Sequence, residues 1–221
     1  MAMFNTHFSG KKQNFSIAHD EEFASRKIGN KLLEYLPVQS DRPIVFICIG
    51  TDRSTGDALG PLVGSHLLNK NLPENFHVFG TLKQPIHAVN LKQSIVQIKE
   101  NFPAGFYVAI DACLGHSKHV GHIQIKEGPL KPGAGVNKSL PEIGHIHITG
   151  IVNIAGFMEF FVLQSNFPGL LRKEFIMLVS SIIMISFIRK ENDITKTMDP
   201  GFASRSSTDK IDLKPAGNVQ K

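Results

Sequence analysis

Hydrophobic positions along this chain change their spacing from segment to segment, and the spacing predicts the elements. Phe23, Ile28, Leu32, Leu33 and Tyr35 to Leu36 recur at helical period, which predicts a helix from about Glu21 to Leu36, followed by a loop from Pro37 to Pro43. Ile44-Val45-Phe46-Ile47-Cys48-Ile49 is continuously apolar between Pro43 and Gly50. A run without alternation marks a strand covered on both faces, as in a parallel sheet. A helical stretch from about Asp57 to Asn69 comes next, then a short strand from Val78 to Leu82 and a helix from about Ala88 to Asn101. Phe106 to Ile110 is a second buried strand, ending at Asp111.

Strand and helix alternating in this order predict an α/β fold: three layers on a doubly wound, mostly parallel sheet. Beyond Gly115 the pattern changes. Val120 to Lys126 alternates like a half-exposed strand, Gly128 to Pro141 is a Gly/Pro-rich loop, and Ile143 to Thr149 is another strand candidate. Ile154 to Leu163 and about Pro168 to Phe187 have helical patterns, although the Ile, Val and Ser content of the second leaves helix and strand close in propensity. The expected organisation is a polar, loosely held start over residues 1–20, one α/β domain over 21–188, and a disordered tail over 189–221. In that tail hydrophobic residues are sparse, and from Glu191 to Lys221 five acids balance five bases. No internal repeat is visible.

Composition narrows the classes. At 221 residues, 42% of them hydrophobic, the chain is long enough for one domain with a substantial core. The net charge of +5 is spread along the chain without a basic cluster interleaved with exposed aromatics, so a nucleic-acid partner is not expected. The start lacks the apolar stretch of a signal peptide. The longest apolar run, Phe175 to Ile188, is broken by Ser180, Ser181 and Ser186 and falls short of the roughly 20 residues a membrane helix needs. Cys48 and Cys113 each lie in apolar runs, as buried free thiols do. A cytoplasmic protein without a membrane association is the expectation.

The chemistry-bearing candidates follow from the topology. Ligands of open α/β sheets sit outside the carboxyl ends of the strands, where strand order reverses. Gly50-Thr51-Asp52-Arg53-Ser54-Thr55-Gly56-Asp57 follows the first buried strand and Asp111 follows the second, so two carboxylates reach that edge. Strands one and three of such a sheet are usual neighbours, about 4.8 Å apart, and Asp57 and Asp111 are expected to converge. Two close carboxylates do not both ionise easily, and the pair can act as base and acid on a water and a carbonyl. The plain alternative is that Asp57 favours a helix N-terminus and Asp111 caps a turn. A phosphate loop is a weak option, because GTDRSTGD has neither the Lys-Ser/Thr ending of a P-loop nor GxGxxG spacing.

Other side chains compete for attention. Five histidines fall between His116 and His147: His116, His119 and His122 at three-residue spacing, and His145 and His147 on one face of a strand. A zinc site wants three or four convergent ligands, whereas strand alternation accounts for His145 and His147 as a half-exposed face. Ser54 and Ser65 lack the G-x-S-x-G elbow. Cys113 sits beside an acid rather than in the electropositive setting a reactive thiol needs, and reads as a packing residue.

The segments CIGTDRSTGDALGPLVG, AIDACLG, PGAGVNKSLPEIG and HITGIVN, in that order between about Pro43 and Gln164, resemble the YyaC-type sporulation protein family, also called the spore protease family. More distantly they resemble spore germination protease and the hydrogenase maturation endopeptidases, which share a doubly wound fold. The resemblance implies a sporulation-associated peptidase in the cytoplasm of a sporulating cell, acting on a protein or peptide. The acids in segments like GDALGP and AIDA are the proposed catalytic pair of germination protease, which implies catalytic roles for Asp57 and Asp111. Gly50, Thr51, Asp52 and Ser54 would then shape the substrate cleft. In the hydrogenase enzymes a histidine joins the two acids around nickel; no histidine here sits in an equivalent motif, so no metal and no cofactor is expected. A catalytically silent relative that binds a protein or peptide during spore formation, and a metal-dependent hydrolase, are the alternative readings.

Overall fold

The computed structural model describes residues 14–37, 40–52, 57–132, 140–154, 178–183 and 185. Among them the chain runs through β1 (Phe15–Ala18), α1 (Ala24–Tyr35), β2 (Ile44–Cys48), α2 (Leu59–Leu68), β3 (Phe76–Phe79), α3 (Leu91–Asn101), β4 (Phe106–Gly115), a short 3₁₀ turn (Ser117–His119), β5 (His122–Glu127) and β6 (Ile146–Ile154). Residues 178–183 are also helical. The strands form a six-stranded sheet in the order β1-β5-β6-β4-β2-β3. β3, β2, β4 and β6 run parallel, while β5 and β1 are antiparallel additions at one side. This is the expected α/β fold on a mixed, mostly parallel sheet.

Each face of the sheet carries its own core. Every residue of β2 is buried, because parallel strands flank it and helices cover both faces. Phe46, Cys48, Val108, Ile110 and Ile148 pack on one face against Ile28 and Leu32 of α1, Leu59, Val63 and Leu67 of α2, and Leu178, Ile182 and Ile185. On the opposite face Val45, Ile47, Ile49 and Ala109 meet Leu91, Ile95 and Ile98 of α3, together with Leu130 and Ile143. The one-residue alternation along each strand sorts side chains into these two sets.

Two helix boundaries have local causes. α1 ends because Leu36 precedes a proline and takes an extended ψ of 136°. α2 tolerates Pro61 because it lies in the first turn, where backbone N–H groups have no intrahelical acceptor. α2 is also pressed unusually close to the sheet. A Cβ added at Gly60 would lie 2.1 Å from the Ile49 carbonyl oxygen, and one at Gly64 would lie 2.0 Å from the Gly80 carbonyl oxygen. Both obstacles are backbone, so a side chain there has no easy way out.

Several elements differ from the sequence expectation. Phe15–Ala18, inside the start expected to be loosely held (1–20), forms β1: it pairs with β5 and buries Ile17. The pairing required a partner far along the chain, which local polarity does not reveal. β3 begins two residues before Val78 and gives way to a left-handed Gly80 at φ 82°. β4 does not stop at Ile110; it continues through Asp111 to Gly115 because β6 extends alongside it. Ile154 closes β6 rather than opening a helix. The remainder of the helix expected to Leu163, much of that expected over 168–187, and the tail over 189–221 lie outside the described residues. Among the described residues no helix is long and apolar enough to cross a membrane.

The close seat of α2 gives a test in which local and tertiary effects oppose each other. Helix propensity alone would make Gly64→Ala stabilising by about 1 kcal/mol. The backbone contact with Gly80 makes it destabilising by about 1–3 kcal/mol, the usual cost of overpacking. Urea unfolding of the two proteins reads the sign directly.

Candidate functional site

A crevice is expected at the carboxyl ends of neighbouring strands from which the chain departs in opposite directions along the sheet. β2 and β4 are such a pair. They lie side by side in parallel, with Cys48 opposite Ile110 and the Ile49 N–H donating to the Ile110 carbonyl at 2.7 Å. The chain leaves β2 toward α2 on one face, whereas α3, which feeds β4, covers the other. Both sequence-predicted carboxylates belong to this edge.

Asp111 sits within β4, one residue beyond Ile110. Ile110 belongs to the α1/α2 core and Ala109 to the α3 core, so alternation turns Asp111 to the α3 side. Its partner in β6 is Thr149, which is 5% exposed, and its Oδ1 accepts the Ala112 N–H at 2.8 Å. Asp57 reaches the same edge through the fold of the loop before α2. Gly50 takes φ 140°, a conformation side chains rarely adopt, and a Cβ there would meet the Asp57 carbonyl oxygen at 2.0 Å. That carbonyl accepts the Thr51 N–H at 3.1 Å. The loop therefore returns to its own starting point and leaves the half-buried Asp57 beside the end of β2.

The two carboxyls are electrostatically unequal. Burial pushes Asp111 up to about 8, and the negative charge of Asp57 adds to the effect; the Ala112 N–H opposes it. Burial also raises Asp57 above the ordinary carboxylate range, while the Thr51 N–H and the nearby His87 favour its charged form. Asp57 is thus the member that ionises first, and Asp111 holds a proton close to neutrality. The charge of Asp57 thus reaches Asp111, and their different surroundings give the two acids different proton affinities.

The other predicted residues divide. Gly50 and Thr51 stand at the site and act through their backbones, closing the turn that delivers Asp57. Asp52 is exposed in that turn, and Ser54 lies outside the described residues. Ser65 has a structural task, its Oγ accepting the Leu82 N–H at 2.8 Å. Cys113 is half-buried in β4, and Cys48 is fully buried with its thiol pushed up by desolvation.

The histidines are distributed among fold contacts. His145 stacks on Phe106 and Tyr107, and its Nδ1 accepts the Tyr107 N–H at 2.9 Å. The Nδ1 of His147 lies 2.9 Å from the Gly128 carbonyl oxygen and so donates to it. The His116, His119 and His122 rings follow one another edge to face, with centroids 6.4 and 5.4 Å apart, and Nδ1 of His122 is buried without a hydrogen-bond partner among the described residues. Among the described residues no three His, Cys, Asp or Glu side chains are arranged to hold a metal ion.

His87 is the member that sequence reading missed. Ile86 bridges to Ile49 and accepts the Gly50 N–H at 2.8 Å, which carries His87 to the mouth of the crevice. A signal was present: a histidine just ahead of a helix, three residues before an asparagine suited to a helix start. Its meaning depended on the Ile49–Ile86 bridge, which joins segments distant in sequence.

The chain is 54% identical over 150 residues to a Bacillus subtilis (strain 168) protein called "Uncharacterized protein YyaC", covering 68% of this chain and 73% of that one. Among solved structures it is similar to a NiFe hydrogenase maturation protease, HycI, from Thermococcus kodakarensis KOD1, at 18% identity and a TM-score of 0.44, covering 72% of this chain and 99% of the other. Residues 16–186 match the family model described as "Protein of unknown function (DUF1256)", and the chain belongs to that family.

Proposed function

We propose that the protein hydrolyses a peptide bond with Asp57 as general base and Asp111 as general acid. The observation that carries this reading is the unequal pair at the β2/β4 edge: burial raises both carboxyls, and the charge of Asp57 helps to take Asp111 up to about 8. Paired titratable groups whose proton affinities are pushed apart make natural acid and base partners. The motif resemblance to spore proteases supplies the substrate class, a protein or peptide in a sporulating cell.

In this mechanism Asp57 takes a proton from a water whose oxygen attacks the peptide carbonyl carbon. Asp111 delivers its proton to the carbonyl oxygen as the C=O π bond opens, giving a neutral gem-diol. Collapse returns a hydroxyl proton to Asp111 and breaks the C–N bond, while the proton on Asp57 passes to the leaving amine. Both carboxyls end as they began, and one water has been added across the bond. Gly50 and Thr51 hold Asp57 in place through the backbone. Asp52 and Ser54 are proposed as part of the cleft that receives the substrate.

Asp57→Asn and Asp111→Asn should each reduce turnover by roughly 10²–10⁴-fold or more, and the losses should not multiply in the double variant. Wild type and variants are incubated with proteins from sporulating cells, and newly formed termini are mapped. If wild type generates no termini that the variants lack, hydrolysis is excluded and a binding role replaces it. For an active enzyme, turnover should fall as pH rises through about 8, where Asp111 loses the proton it donates.

The same pair predicts a stability signature independent of any substrate. The folded pKa of Asp111 is raised above its unfolded value, so the folded state binds the proton more tightly. Its contribution is fully present at about pH 4 and is lost as pH rises to about 8. Asp111→Asn keeps the acceptor for the Ala112 N–H and removes this titration. The variant should match wild type near pH 4 and become progressively more stable toward pH 8, by at most about 1.4 kcal/mol per pH unit. Urea unfolding across this range checks the slope; a variant less stable than wild type at pH 8 would refute the buried-proton assignment.

A further inference from the structure

The two faces of the sheet differ beyond β4. The core on the α3 side draws its strand residues from β3, β2 and β4, and none from β6, β5 or β1. There the strand register sets four polar side chains in one row. Asp111 of β4 lies opposite Thr149 of β6, Thr149 opposite Gln124 of β5, and Gln124 opposite Ser16 of β1. Their neighbours Ile110, Ile148, Ile123 and Ile17 belong to the other core, so alternation turns all four to the α3 side.

The row slopes inward from the sheet edge to the desolvated acid. Ser16 is exposed, Gln124 is half-buried and Thr149 is 5% exposed. Among the described residues no hydrogen bond engages the side chain of Thr149 or Gln124. Polar groups withdrawn from solvent ordinarily have partners, and an incoming peptide supplies them. A hydroxyl and a carboxamide each donate and accept, which matches the alternating N–H and C=O groups of a backbone. The spacing also fits. Strands about 4.8 Å apart put Gln124 about 10 Å and Ser16 about 14 Å from Asp111, and an extended chain advances about 3.3 Å per residue. The row therefore underlies the first three to four residues, roughly, on one side of a bond held at Asp111.

We propose that this row is the floor of the substrate groove: an extended polypeptide crosses β6, β5 and β1, with Thr149, Gln124 and Ser16 beneath one side of the bond presented to Asp111. The proposal rests on the two-carboxylate reading for the position of that bond.

The test places a photoreactive benzoylphenylalanine at position 124 or 16 of the full chain carrying Asp57→Asn. The same group at position 127, the exposed residue at the opposite end of β5, is the control. Urea unfolding that matches the Asp57→Asn parent verifies each labelled chain. After irradiation with proteins from sporulating cells, attachment sites are mapped against the termini that wild type generates. Position 124 should attach about two to four residues from a new terminus, always on the same side, and position 16 about one to two residues farther out. Position 127 should not attach there. A synthetic peptide of the attached sequence should bind the Asp57→Asn chain, and Gln124→Leu should weaken that binding by up to about tenfold. Scattered attachment, attachment on both sides of the terminus, or an affinity unmoved by Gln124→Leu overturns the groove. One recurrent attached sequence with the affinity loss, in the absence of any cleavage, sinks the peptidase reading and keeps the groove. Cleavage without attachment from positions 124 and 16 does the reverse.

Discussion

Ile49 is hemmed in by backbone on three sides. Its N–H is bonded to Ile110 of β4, it bridges to Ile86 ahead of α3, and Gly60 of α2 lies against its carbonyl so closely that no Cβ would fit. A residue held this way fixes the relative positions of four segments at once. The Asp57 loop leaves from it, Asp111 lies one step past its hydrogen-bond partner, and His87 lies one step past its bridge partner. The precision of the candidate site is therefore a consequence of main-chain contacts, which have no rotamers and yield little.

This construction places charge where charge is costly. Asp111 is desolvated at the strand edge next to another acid, an arrangement that opposes stability increasingly as pH rises from about 4 to about 8. The cost persists because the surrounding contacts are strong: both faces of β2 and much of β4 are covered by close-packed aliphatic side chains. Destabilising groups held by a rigid frame are a common feature of working sites. Asp57 differs through its half-open position and its N–H and histidine neighbours, so two residues of one chemical type acquire different proton affinities from their surroundings alone.

The two halves of the sheet contribute differently. The parallel half, β3-β2-β4-β6, supplies the switch point and the acids, and its central strands read as unbroken apolar runs. The antiparallel half, β5 and β1, extends the sheet on the far side of β6, which itself continues alongside β4 past Asp111 to Gly115. That continuation converts Asp111 from a residue after a strand into a residue within one. Its side-chain direction is then set by the strand's pleat, and Thr149 of β6 becomes its lateral neighbour.

Much of this was legible before the fold was known, for a physical reason. A strand buried on both faces must be apolar throughout, so Ile44–Ile49 and Phe106–Ile110 declared themselves, and the alternation with helices then implied parallel neighbours with Asp57 and Asp111 at one edge. Helical spacing similarly announced α1, α2 and α3 to within a few residues. The tertiary structure decided what depends on partners distant in sequence. β1 is a strand because β5 pairs with it, and β4 outlasts its apolar run because β6 accompanies it. His87 belongs to the site because Ile86 meets Ile49, and one acid holds a proton because burial and the other acid's charge act on it together. Hydrophobic patterning is a property of each segment by itself; pairing, burial and charge coupling exist only between segments, and they come into being when the chain folds.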